Sequence, residues 1–230
     1  MSKAAVSCLH CNKPRSRFNH RMTQRQLVIA SKNQGKIKEF ERLLSEYASD
    51  ITVLGLADFP DLPDVDETGT TFEENSLLKA HAVANFTGIP AIADDSGLCV
   101  DALDGAPGIF SARYAGEHGN DIANYTKLLD VLREMGLKDP IERKAHFTCA
   151  VALVFPKSDA RHSTVIVERG YLHGWIAAAP RGDAGFGYDP VFTPDGFDLT
   201  LGEFGPGEKD RISHRGHALR AIAPRIAELL

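Results

Sequence analysis

Two adjacent carboxylates, Asp94 and Asp95, lie between the short apolar runs 89–93 and 98–100 and are followed at once by Ser96 and Gly97. This pattern predicts strand, acidic turn, strand. Successive strand side chains alternate faces, so one carboxylate should point into a cleft and the other toward the scaffold. The residue types alone fit an Asp-Asp-Ser-Gly turn equally well. The next positions favour a site: Gly97, Gly105, Pro107, Gly108, Arg113, Tyr114 and Gly116 crowd them, more special-backbone residues than a hairpin needs. Glu67 stands just before a predicted helix, where its carboxylate could reach the same turn.

Three further constellations carry chemistry. Ser31, Lys32, Asn33, Gln34, Gly35 and Lys36 form a polar connection between an apolar run and an amphipathic segment. A strand-loop-helix of this kind gathers backbone N–H groups, the positive end of a helix dipole and a lysine around one point, which suits phosphate. Its spacing is not that of a Walker A loop, and a plain βα connection with a solvated lysine reads as well. In residues 180–190 glycines alternate with Phe186 and Tyr188 ahead of Asp189, so a planar ligand could approach the backbone at Gly187 and stack on a ring. Lys209, His214 and Arg215 lie immediately before a C-terminal amphipathic helix, where donors favour an electron-rich partner.

The elements that must position these groups follow from periodicity. Residues 27–30 and 51–55 read as strands. Helices are expected from Ile37 to Tyr47, from a Thr71/Glu74 capping box to about Thr87, from Asn120 or Asp121 to Gly136, and at the C-terminus, where Pro224 should kink or shorten the last one. Residues 145–155 and 163–172 read as a hairpin. The fold class expected is mixed α/β.

At 230 residues, 43% hydrophobic and 25% charged, the chain has the composition of an ordinary globular protein. With 26 basic against 31 acidic residues the net charge is −5, which argues against nucleic acid as a partner. No apolar stretch is long enough to cross a bilayer and none reads as a secretory signal, so a cytoplasmic location without membrane association is expected. Of four cysteines, Cys99 and Cys149 fall in apolar runs and read as reduced core thiols. Residues 1–26 are polar and basic without periodicity and are expected to form a flexible extension; Met22 offers an alternative start. Cys8 and Cys11 lack the second close pair that a tetrahedral zinc site needs.

Taken in order, SKNQGK, ETGTTFEEN, ADDSGL, GAPGIFSARYAG, PRGDAGFGYDP and EKDRISHRG resemble the motif series of the Ham1-like family of non-canonical purine nucleoside triphosphate pyrophosphatases. The resemblance runs from about Leu27 to the C-terminus. It implies an elongated mixed sheet flanked by helices, two lobes around a central cleft, a homodimer, and Mg²⁺-dependent hydrolysis of ITP, dITP and XTP to the monophosphate and pyrophosphate. Carried over by position, residues 31–36 would hold the triphosphate and Glu67 with Asp95 the metal, Asp95 also activating water. Ser96 would touch substrate, Phe186, Gly187, Tyr188 and Asp189 would line the base, Lys209 would bind phosphate, and His214 with Arg215 would read the base edge. Asp210 and Phe110 stand where the family often has Asn and Tyr. Two rival readings remain: a nucleotide-binding module without turnover, and a phosphatase releasing orthophosphate.

Overall fold

The computed structural model describes residues 25–47 and 49–230. The Cys8/Cys11 pair and nearly all of the expected extension lie outside the described residues. β1 (Gln26–Ile29), β2 (Thr52–Gly55), β3 (Ala91–Val100), β4 (Lys144–Val154), β5 (Val165–Ile176) and β6 (Phe192–Pro194) form one sheet in the order β2-β1-β3-β4-β5-β6. β1 is parallel to β2 and β3; the remaining pairs are antiparallel, and β4 with β5 is the expected hairpin. The helices are α1 (Gln34–Ser45), α2 (Phe72–Thr87), α3 (Asp121–Glu134), α4 (Pro206–Ile212) and α5 (His214–Leu229).

Layering follows from which strand residues face which helix. Leu27, Ile29, Ile92, Val151 and Leu153 pack against Phe40 and Leu43 of α1 and Leu219 and Ile222 of α5. Val28, Ala93 and Ala152 face Val83 and Ala84 of α2. A third cluster fills the far end of the long strands, where Leu98, Val100 and Phe147 meet Leu128 and Leu132 of α3 with Tyr188 and Phe192. A sheet with helices on both faces buries its central strands twice over, which is why β4 reads as an almost unbroken apolar run.

Two expectations are corrected. The acidic stretch is no turn: β3 runs unbroken through it, with Asp94 opposite Val151, Asp95 opposite Ala150 and Gly97 opposite Thr148. Each carboxylate finds cationic partners on its own face, Lys36 and Arg215 for Asp94 and Lys79 for Asp95, so the ladder can continue through two acids. Gly97 serves close approach instead, since a Cβ there would stand 2.3 Å from the Gly108 carbonyl oxygen. The alternation of the two acids between faces holds. Pro224 does not shorten α5, which continues to Leu229. It lies on the exposed side of the helix, where the carbonyl it leaves unpaired can reach water, while buried Ile222 and Ile226 hold the helix to the sheet.

The strand pairing itself makes the cleft. The β1–β3 ladder ends at Ile29 opposite Ile92, whereas β3 runs on to Val100. The stretch of β3 that carries Asp94, Asp95 and Ser96 therefore faces the loop after β1 across an opening of about 340 Å³.

Candidate active site

The N-terminus of α1 points at this opening. Asn33 caps it, its side-chain oxygen accepting the Lys36 N–H at 3.1 Å. Lys36 then extends its ammonium to within 2.9 Å of Asp94 Oδ2. Asp94 is also met by Arg215 Nε at 3.2 Å and by the Ser96 hydroxyl at 3.1 Å. Arg215 donates through Nη2 to Ser96 Oγ at 3.0 Å and pairs through Nη1 with Glu39, a fully buried acid of α1 that also accepts from Ser213 Oγ at 2.9 Å. Burial alone would raise the Asp94 pKa, but the charges of Lys36, Arg215 and Lys79 hold it far below the usual carboxylate range. Arg215 stays charged, its burial outweighed by Glu39 and Asp94.

Asp95 looks the other way, toward α2. Lys79 Nζ lies 2.6 Å from Glu67 Oε1 and 3.4 Å from Asp95 Oδ1, so one ammonium stands between both acids. Asn75 Nδ2 donates to Asp95 Oδ2 at 3.1 Å, and the Ser96 N–H to Oδ1 at 3.1 Å. Burial pushes the Asp95 carboxyl above its ordinary value, and Lys79 and Lys36 offset this only in part because Glu67 adds a like charge. Glu67 goes down instead: burial raises it, but Lys79, Lys36 and Arg113 outweigh that. Two acids that share one lysine thus shift in opposite directions, a pattern frequent at functional sites.

The opposite wall carries the aromatic platform. Phe186 faces the cleft over Gly35 at the start of α1, so closely that a Cβ on Gly35 would lie 2.9 Å from the ring. Lys209 Nζ stands 4.7 Å and the Arg215 guanidinium 5.4 Å from the ring centroid. Lys209 also pairs with Asp189 at 2.6 Å, and Asp189 accepts the Phe186 N–H at 2.8 Å, which ties the glycine-rich loop to α4. Gly187 donates its N–H to Asp121 at the start of α3. His214 stacks on Phe147 with ring centroids 4.7 Å apart, and its Nδ1 has no hydrogen-bond partner among the described residues. Burial, with the charges of Arg215 and Lys209, keeps its imidazole neutral.

The residues singled out in the sequence thus converge. Ser31, Lys32, Asn33, Lys36, Glu67, Asp95, Ser96, Phe186, Gly187, Tyr188, Asp189, Lys209, His214 and Arg215 all line the cleft; Gln34 and Gly35 do not. Of the two rings expected to offer stacking faces, only Phe186 does. Tyr188 is buried in the far cluster, its hydroxyl donating to the Ser111 carbonyl at 2.9 Å. Lys209 stands at the aromatic wall, paired with Asp189. Sequence reasoning missed Asn75, Lys79 and Glu39. Their signal was polar residues on the inward stripe of a helix: Asn75, Lys79 and Val83 repeat every fourth residue, as do Glu39 and Leu43.

Glu67 and Asp95 converge on one cation position, held here by Lys79 Nζ, and hard oxygen donors of this kind suit Mg²⁺. Among the described residues no three His, Cys, Asp or Glu side chains group to hold a metal. Mg²⁺ ordinarily keeps waters and substrate phosphates as its remaining ligands, so two carboxylates fit it.

Comparison with known proteins places the chain among relatives that it matches over nearly their whole length. A family model described as the Ham1 family matches residues 27–225. The chain is 49% identical over 205 residues to a dITP/XTP pyrophosphatase of Streptomyces coelicolor, covering 89% of this chain and 98% of that protein. It is 44% identical over 204 residues to one of Bacillus anthracis, covering 89% and 97%. Among solved structures it resembles a HAM1 protein from Coxiella burnetii, with TM-score 0.77 and 40% identity over 89% of this chain and 99% of the other. The Staphylococcus aureus Ham1 protein gives 0.75 and 40% with the same coverage.

Proposed function

The chain belongs to the Ham1 family, and on that premise we propose that it hydrolyses non-canonical purine nucleoside triphosphates, namely ITP, dITP and XTP, to the monophosphate and pyrophosphate. The observation that carries this is the pair Glu67 and Asp95 around one cation, set beside the α1 N-terminus and Lys36. Opening a phosphoanhydride needs charge neutralisation and a positioned water more than covalent chemistry. Lys36, Lys79 and the positive end of the α1 dipole offset phosphate charge. Asp95 takes a proton from the attacking water, the water oxygen bonds to one phosphorus of the α–β anhydride, and the bond from that phosphorus to the bridging oxygen breaks, the bridging oxygen leaving with the other product. Glu67 and Asp95 would hold Mg²⁺, which when bound supplies charge neutralisation at the phosphates and a lowered water pKa.

Phe186 offers the base a stacking face, and His214 with Arg215 presents donors to the 6-oxo edge. Adenine carries an amino group there, so a donor would face a donor and ATP should be rejected. Three of Arg215's donor positions already serve Asp94, Glu39 and Ser96, which fixes the direction of those that remain. We further propose a homodimer of one catalytic domain, residues 27–230, preceded by a dispensable extension, acting in the cytoplasm. No helix among the described residues is long and apolar enough to cross a membrane.

The test is a panel of ITP, dITP, XTP, GTP and ATP with Mg²⁺, the phosphate products being identified by phosphorus NMR. Pyrophosphate from the first three and little turnover of ATP is expected. Orthophosphate would favour the phosphatase reading, and tight binding without any product would favour a binding module.

A further inference from the structure

We propose that Asn75 is a positioning residue of this site: it orients the Asp95 carboxylate and ties it to the loop that carries Glu67, so that the two acids keep one separation. The proposal rests on the pyrophosphohydrolase reading. Asn75 lies in the first turn of α2 and is fully buried, so it acts through Asp95 and not on substrate. Its two polar atoms are both engaged. Nδ2 donates to Asp95 Oδ2 at 3.1 Å, and Oδ1 accepts the N–H of Gly69, two residues beyond Glu67, at 2.8 Å. Only one amide orientation does both, because the flipped one would set an oxygen against a carboxylate and an NH₂ against an N–H.

The contact is close on all sides. A Cβ on Gly69 would stand 2.7 Å from Asn75 Oδ1 and 3.0 Å from its backbone nitrogen, so the loop after Glu67 is clamped onto the helix. One turn further along α2, Lys79 reaches Asp95 Oδ1 and Glu67. A single helix therefore grips Asp95 by both oxygens, and the same helix holds the Glu67 loop through Lys79, Asn75 and Glu74. Sites carried on rigid elements hold their geometry better than sites carried on loops, and here α2 lends its stiffness to a loop carboxylate. Asp in place of Asn75 would set a like charge against Asp95, and Leu would take away the acceptor of the Gly69 N–H.

The test compares wild type with Asn75→Asp and Asn75→Ala, measuring kcat and KM for pyrophosphate release from ITP with Mg²⁺, alongside thermal unfolding and circular dichroism. Asn75→Asp keeps the shape and the acceptor for Gly69 and replaces the donor to Asp95 with a like charge. Its kcat is expected to fall about 10- to 100-fold, the scale of an ångström misplacement, with KM changed less than about threefold, since substrate-binding groups are untouched. Asn75→Ala, which loses both bonds, should fall at least as far per folded molecule. A folded Asn75→Asp protein with wild-type kcat, or with its whole defect in KM, overturns the proposal. So does failure of both variants to fold, because the role is then structural. A wild type that releases no pyrophosphate brings down the underlying reading as well, whereas an active wild type beside an unimpaired variant overturns the Asn75 assignment alone.

Discussion

Asp94 and Asp95 are neighbours in one strand, but the two faces of the sheet give them different surroundings. On the α1/α5 face Asp94 meets Lys36, Arg215 and Ser96, and Arg215 is braced in turn by Glu39. That carboxylate is saturated with positive charge and is held ionised far into the acid range. On the α2 face Asp95 has one amide, one backbone N–H and a lysine it shares with Glu67, and burial dominates its pKa. Neighbours in one strand thus shift in opposite directions: a buried acid with a full set of cations is held ionised, and one left short of them has its pKa raised by burial.

Four substitutions or conditions bear on that contrast. Lys79→Met removes the cation between Glu67 and Asp95, and turnover of ITP is expected to fall about 100-fold, a loss typical of one preorganised charge; steady-state pyrophosphate release checks this, and a smaller loss than that of a surface lysine would sink it. Glu67→Gln weakens one metal ligand, so its roughly tenfold loss should shrink as Mg²⁺ is raised. The third condition is pH. The folded-state pKa of Asp94 is depressed, so its contribution to stability is present above the ordinary carboxylate pKa and is lost as pH falls through the folded value. Asp95 has the opposite sign: its folded-state pKa is raised, so its ionised form costs stability at neutral pH and protonation recovers it. Asp94→Asn should therefore flatten the acid decline in urea-unfolding free energy, and Asp95→Asn should leave it in place. The smallest effect is expected from deleting residues 1–21, which should leave specific activity and thermal midpoint within error.

Much of this arrangement was legible in the sequence for local reasons. The polar loop 31–36, the Thr71 cap and the glycine-rich run before Asp189 are signals that neighbouring residues complete among themselves. Even there details moved: Glu74 reaches back to the Thr70 N–H at 2.7 Å, one residue short of the expected box. What escaped depends on long-range docking. Nothing near Asn75 announces that Asp95, twenty residues on, will accept from it, and Glu39 meets Arg215 only because α1 and α5 share a face of the sheet. The turn expected at residues 94–97 failed for the same reason, since the cations that let β3 continue come from three separate helices.

The division of labour between the two acids is tested most directly by measuring Asp94→Asn and Asp95→Asn side by side, each for kcat on ITP and for unfolding free energy at neutral pH. Asp95→Asn is expected to lose about 1,000-fold in kcat, within the range for a lost general base, while keeping or slightly gaining stability. Asp94→Asn is expected to retain more activity and to lose about 3 kcal/mol, the cost of breaking a buried ion pair with Glu39 still left to Arg215. A folded Asp95→Asn protein turning over near the wild-type rate, or an Asp95→Asn protein less stable than Asp94→Asn, would contradict the account.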